Sequence, residues 1–187
     1  ARAGYDRAHV FQMAYVYELP FFRESANALL AAILGGWQVS GITTIQSGAP
    51  VPRIVGPTSG GTRGNRVNVI GDPQTGNLDW PRWFDPAAFA PANVGEYGDS
   101  PRAPLRLPGR NQTDLAMSKN FYAWGKRLQF RADAINAFNH TQFTTVNADC
   151  SGAPASATSC AFTGSTVGNI TGARNPREFQ FSLKLYW

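Results

Sequence analysis

A chain of 187 residues is long enough for one domain with a substantial core. It is 43% hydrophobic and 12% aromatic but only 16% charged, against about 25% in an average soluble domain, and its 19 glycines and 13 prolines favour strands, turns and long loops over helices. Fourteen of its 17 basic residues are arginine, and seven of these lie between Arg53 and Arg110 among Asp72, Asp79, Asp85, Glu96 and Asp99, so the net charge of +5 describes a mixed surface and not a nucleic-acid-binding arm.

The first predicted element is "HVFQMAYVYEL", where Phe11, Met13, Tyr15, Tyr17 and Leu19 share one face of a strand opposite Gln12, Ala14 and Glu18. "PFFRESANALLAAILGG" follows and predicts one short helix. Its apolar run falls well below the roughly 18 residues a membrane-spanning helix needs. In "GWQVSGITTIQSG", Trp37, Val39, Thr43 and Ile45 oppose Gln38, Ser40, Thr44 and Gln46. A Pro/Gly-rich stretch then runs to about Asn111. In "TDLAMSKNF", Leu115, Met117 and Phe121 oppose Asp114, Ser118 and Asn120. "YAWGKR" predicts a tight turn into "LQFRADAINAF", where Leu128, Phe130, Ala132 and Ala134 oppose Gln129, Arg131 and Asp133. A second long connection, from Asn139 to about Pro176, leads to "REFQFSLKLYW". There Phe179, Phe181, Leu183, Leu185 and Trp187 alternate with Gln180, Ser182, Lys184 and Tyr186.

Five strands of about 9–12 residues exceed the usual five or six. They have the length that crosses a bilayer at a tilt of about 45°. Long and short connections fall on opposite ends of an all-β, antiparallel up-and-down meander, as in outer-membrane barrels with short periplasmic turns and long extracellular loops. Only the first periplasmic connection is longer than that rule predicts. An aromatic stripe on a solvated edge would invite aggregation, whereas in a barrel wall lipid covers it. Five strands cannot close a barrel, and lipid cannot satisfy an open edge, so the sheet needs further strands. The start, with neither an initiator methionine nor a basic-then-apolar leader, is expected to be the interior of a longer chain.

Taken in order, "DRAHVFQMAYVYELPF", "LLAAILGGWQVSGITTIQSGAP", "WFDPAAFAPA", "LRLPGRNQTDLAMSKNF", "LQFRADAINAFNHTQF" and "ITGARNPREFQFSLKLYW" resemble the C-terminal end of a TonB-dependent outer-membrane receptor of the Oar-like, acidobacterial type. The resemblance covers nearly the whole chain, 1–187, with extracellular loops at about 49–111 and 140–176. It implies a 22-stranded barrel with a plugged lumen, the import of a siderophore, cobalamin or an oligosaccharide, and no cofactor. The implied partners are the rest of the barrel and the plug, TonB–ExbB–ExbD acting through a missing N-terminal part, outer-membrane lipid and the assembly machinery. The last strand, with Phe181, Leu183, Leu185 and Trp187, looks like the assembly signal of this class. Trp187 stands where Phe is usual. The rival readings are a cell-surface binding or adhesion module without transport, and a structural segment that self-associates edge to edge.

Within the first long loop, Trp80, Arg82, Trp83 and Phe84 bring aromatic faces and a guanidinium together, a set suited to a sugar ring or an acidic ligand. The plainer reading, favoured by the loop's length, is that these rings pack a small core of its own or rest on the barrel rim. Asp114, Arg131, Asp133 and Lys184 fall on the lumen-facing side. They line a solute path or, more simply, form a satisfied ionic network against the plug. Cys150 and Cys160, separated by a short polar segment, read as a disulfide formed in an oxidising compartment, with two unpaired thiols as the alternative. "GPTSGGTRGN" lacks the lysine and the strand-to-helix setting of a phosphate loop and reads as a mobile tip. No Ser-His-Asp, Cys-His or metal-ligand spacing is present in the sequence, so no catalytic activity is expected.

Overall fold

The computed structural model describes residues 3–22, 26–51, 53–58, 65–75, 78–154 and 156–187. In chain order these form β1 (Val10–Glu18), helix α1 (Ala28–Leu34), β2 (Trp37–Gln46), β3 (Asn68–Val69), a 3-10 turn (Pro86–Ala88), β4 (Phe89–Ala90), β5 (Arg110–Ala123), β6 (Lys126–Ile135), β7 (Phe143–Val146), β8 (Ile170–Ala173) and β9 (Glu178–Tyr186). The residues divide into two compact units. One is a sheet unit of residues 9–46, 110–142 and 175–187, and the other a loop unit of residues 1–8, 47–109 and 143–174.

The sheet unit is a five-stranded antiparallel meander in the order β1-β2-β5-β6-β9. Its register keeps the two-residue period of all five segments in phase. One row runs Tyr15–Gly41–Leu115–Ala134–Phe179, and another runs Trp37–Lys119–Phe130–Leu183. Every apolar stripe therefore lies on the same face, because directly opposed residues point to the same side of a sheet. A Cβ at Gly41 would meet the Tyr15 hydroxyl at 2.6 Å, so glycine there lets the tyrosine ring lie across the strand. Trp124 (φ 50°) and Gly125 (φ 73°) close the β5–β6 hairpin in the doubly left-handed conformation that matches strand twist. The β1–β2 connection carries α1, whose first turn is capped by the Asn27 side chain accepting from the Leu29 and Leu30 amides at 3.0 and 3.4 Å.

The loop unit has an interior of its own. Val51, Ile54, Val67, Phe84 and Phe89 are buried together with Leu105, Leu107, Val167 and both cysteines. The strand-like run 49–51 pairs with 105–107 through Val51 N to Leu105 O and Leu107 N to Ala49 O, both 2.8 Å. Cys150 and Cys160 form a disulfide with a Cα–Cα separation of 5.5 Å. Each cysteine amide also donates into the first long connection, Cys150 to Val55 O at 2.7 Å and Cys160 to Phe89 O at 2.8 Å. The two long connections are thus one packed body where the sequence predicts two separate loops. The reason is long-range: apolar residues with no period of their own meet only when segments far apart in the chain come together. The proposed mobile tip, "GPTSGGTRGN", falls largely at 59–64, outside the described residues.

Candidate functional site: the polar sheet face and the aromatic loop surface

On the face opposite the apolar stripe, β5 carries a ladder of polar groups spaced by two residues. Arg110 Nε donates to Gln112 Oε1 at 3.1 Å, and Gln112 Nε2 donates to Asp114 Oδ1 at 2.9 Å. The same carboxylate accepts the Asn136 amide at 2.8 Å. One strand further, Arg131 and Asp133 form an ion pair at 2.7 Å, backed by Arg131 Nε donating to both carboxylate oxygens at 3.0 Å. Lys184 stands opposite Gln129 on β9, and Ser182 stands opposite Arg131. Asp114, Arg131, Asp133 and Lys184 thus share one face. A concavity of about 420 Å³ opens there beside Ala14, Ser40, Asp114, Arg131 and Asp133. The Arg131–Asp133 pair compensates its own charges on this face.

The outward face is the reverse. Phe179, Phe181, Leu183 and Leu185 are 52–69% exposed, and Trp187 is 93% exposed. Phe130 stacks on Phe181 with ring centroids 6.4 Å apart and meets Trp37 edge-on at 6.0 Å. A stripe this apolar across five strands, backed by a polar face, suits lipid on one side and water on the other. The family model for an "Outer membrane beta barrel domain" matches residues 1–180. The chain belongs to the outer membrane β-barrel domain family. No curated protein and no solved structure matches it. As an outer membrane β-barrel domain it resides in the bacterial outer membrane, its long strands crossing the bilayer.

In the loop unit of this barrel domain, the four aromatic-cluster residues separate. Phe84 is 1% exposed and meets Phe89 edge-on at 5.7 Å, so its ring belongs to the core and not to an open ligand surface. Trp83 is partly exposed, its indole Nε1 donating to Arg106 O at 2.7 Å. Trp80 is 70% exposed and tilts against Phe143 with centroids 5.3 Å apart. Arg82 is held through its backbone, bridged to Asn169. Nearby in chain order, the Ser151 hydroxyl and amide hold the Asp149 carboxyl below its ordinary range, the amide at 2.8 Å. Arg106 pairs with Asp6 at 2.5 Å and donates to Gly48 O at 3.0 Å.

The sequence reasoning passed over Lys119. It lies on the outward, apolar face, in register with Trp37 and Phe130, and is 3% exposed. Among the described residues it is the one buried side chain that carries a charge. The signal was present, because a lysine at the position between Met117 and Phe121 breaks the stripe.

Proposed function

We propose that this chain supplies the last strands of a TonB-dependent receptor, a non-enzymatic barrel that imports a large or scarce solute of the siderophore, cobalamin or oligosaccharide class. The observation that carries the reading is the ordered run of six receptor-like segments. They coincide with β1, with α1 and β2, with the Trp83–Ala92 stretch, and with β5, β6 and the β8–β9 end. Its physical support is the sheet itself. β1 and β9 are edge strands, and an unpaired backbone group in hydrocarbon costs several kcal/mol. Further strands of the parent chain would pair both edges and complete a barrel of about 22 strands around a plug. Paired charges on the inward face suit contact with such a plug, and Trp80, Arg82 and Trp83 are the loop residues offered to a ligand, with Phe84 packed behind them.

Two experiments test this. Deleting the parent gene should abolish energy-dependent uptake of one solute from a panel of ferric siderophores, cobalamins and oligosaccharides, and deleting tonB should do the same. Unchanged uptake across the panel with lost surface adhesion would favour a binding module instead. Separately, these 187 residues expressed alone into lipid should aggregate, oligomerise or stay unfolded. A monodisperse, β-rich monomer would refute the need for neighbouring strands.

A further inference from the structure

Helix α1 reads Ala-Leu-Leu-Ala-Ala-Ile-Leu, without a charged residue on any side. Leu29 is 68% exposed and Ile33 52%, while Leu30, Leu34 and the preceding Phe21 and Phe22 are exposed too. A helix on a wet surface keeps a polar face, and this one has none. Its C-terminal carbonyls are held by two side chains of the outward sheet face. Trp37 Nε1 donates to Ile33 O at 3.1 Å, and the Lys119 ammonium donates to Gly35 O. These two residues are direct cross-strand partners. The ammonium also lies 5.8 Å from the Trp37 ring and 5.1 Å from the Phe121 ring.

This pairing is worth most where water is scarce. The last carbonyls of a helix lack intrahelical partners, and in water they would simply be hydrated. A lysine in water would extend to solvent. In lipid both groups are costly alone, and here each satisfies the other, with the helix's negative end meeting the cation. The same row continues outward to Phe130 and Leu183, on the face that lipid covers. α1 sits at the end of the sheet that carries the Trp124–Gly125 hairpin, the short-turn end that is periplasmic in barrels.

We propose that α1 is a membrane anchor lying outside the barrel wall, embedded at the acyl–headgroup boundary of the periplasmic phospholipid leaflet, and that Lys119 and Trp37 form the clamp that docks it. The occupant of its apolar surface is glycerophospholipid, because the surface is continuous with the lipid-covered stripe. This rests on membership of the outer-membrane family and not on any transported solute.

The full-length protein carrying Ile33→Cys, labelled with bimane, would be refolded into vesicles of phosphatidylethanolamine and phosphatidylglycerol. The label should be quenched strongly by phospholipids brominated near the acyl carbonyl and weakly by aqueous iodide. Adding Lys119→Ala should lose most of the bromolipid quenching and gain iodide quenching, and Lys119→Arg should restore the original pattern. Iodide quenching as complete as in the denatured chain would overturn the anchor, whether or not the Lys119 variants fold. Cross-linking of Ile33→Cys between copies at high lipid-to-protein ratio would replace lipid with a second copy. Bromolipid quenching unaffected by Lys119→Ala would overturn the clamp.

Discussion

In the loop unit Val51, Ile54, Val67, Phe84 and Phe89 are at most 1% exposed, whereas in the sheet Phe179, Phe181 and Leu183 are 61–69% exposed. Buried polar side chains occur in both units, with Asn65 and Ser100 buried in the loop unit. Thr113, Lys119, Asn136 and Gln142 are buried in the sheet unit. The loop unit is built for water, gaining about 1.5–3 kcal/mol from each large apolar side chain it buries. The sheet is built for a medium in which that gain does not exist, and its order comes from backbone pairing and polar satisfaction. One polypeptide thus follows two solvent rules, and the rule changes wherever the chain passes between sheet and loop unit, as where it leaves β2 and rejoins β5.

The sharpest way to break this contrast is a pair of truncations. Phe89→Ala should cost the loop unit about 3–5 kcal/mol and expose its connections to protease, with sheet content unchanged by infrared spectroscopy. Phe181→Ala on the outward face should cost far less in lipid, because the ring leaves one apolar medium for another. Equal losses, measured by urea unfolding in vesicles, would mean that the sheet has a water-type core after all.

A charge scan comes next in size. Phe181→Arg should destabilise the sheet in vesicles by about 2–4 kcal/mol, as for a lipid-facing arginine near the midplane. Ser182→Arg, one residue on and facing the polar side beside Arg131, should cost distinctly less. If the neighbours respond alike, the two faces are not distinguished by lipid and water.

These faces were legible in the sequence because a period of two survives without knowledge of any partner strand. All five long strands and the common face of Asp114, Arg131, Asp133 and Lys184 follow from it, and the alternation of long and short connections adds the meander order. Lys119 escaped because it contradicts its stripe, and only the α1 carbonyl facing it explains why it is there. A small core in the first long loop is expected from its length, but its full membership escaped for a different reason. Val51, Ile54, Val67 and Phe89 are scattered through a Pro/Gly-rich stretch, and their partners Cys150, Cys160 and Val167 lie beyond the long strands β5 and β6. Phe84, beside Trp83 in sequence, packs into that interior, as the plainer reading of the aromatic cluster expects.

Smaller effects test how the loop unit is held. Cys150→Ser with Cys160→Ser opens a ring with a sequence separation of 10, and should cost about 2–3 kcal/mol, read as faster proteolysis of 143–174 with the sheet intact. Trp83→Phe removes the indole hydrogen bond to Arg106 O and should cost about 1 kcal/mol. A loss several times larger would show that the indole closes the unit as a whole.

The smallest expected effect is a pH dependence confined to the loop unit. The Ser151 hydroxyl and amide stabilise the ionised Asp149 carboxylate, so its folded pKa lies below the ordinary value of 3.8. Below that value the unfolded chain binds the proton more readily than the folded one, and stability therefore rises with pH through this window. The contribution is fully present above pH 3.8 and is lost as pH falls through the lower, folded pKa. Because Asp149 is largely solvated, screening keeps the effect small. Protease resistance of the loop unit, followed by an acid-tolerant protease such as pepsin, should fall on acidification over this range, and Ser151→Ala should flatten the dependence while leaving resistance at neutral pH almost unchanged. The sheet provides the control, since Asp149 lies outside it. If acid loosens the sheet strands and the loop unit together, or if Ser151→Ala leaves the profile intact, the Ser151–Asp149 contact does not contribute to the loop unit's acid stability.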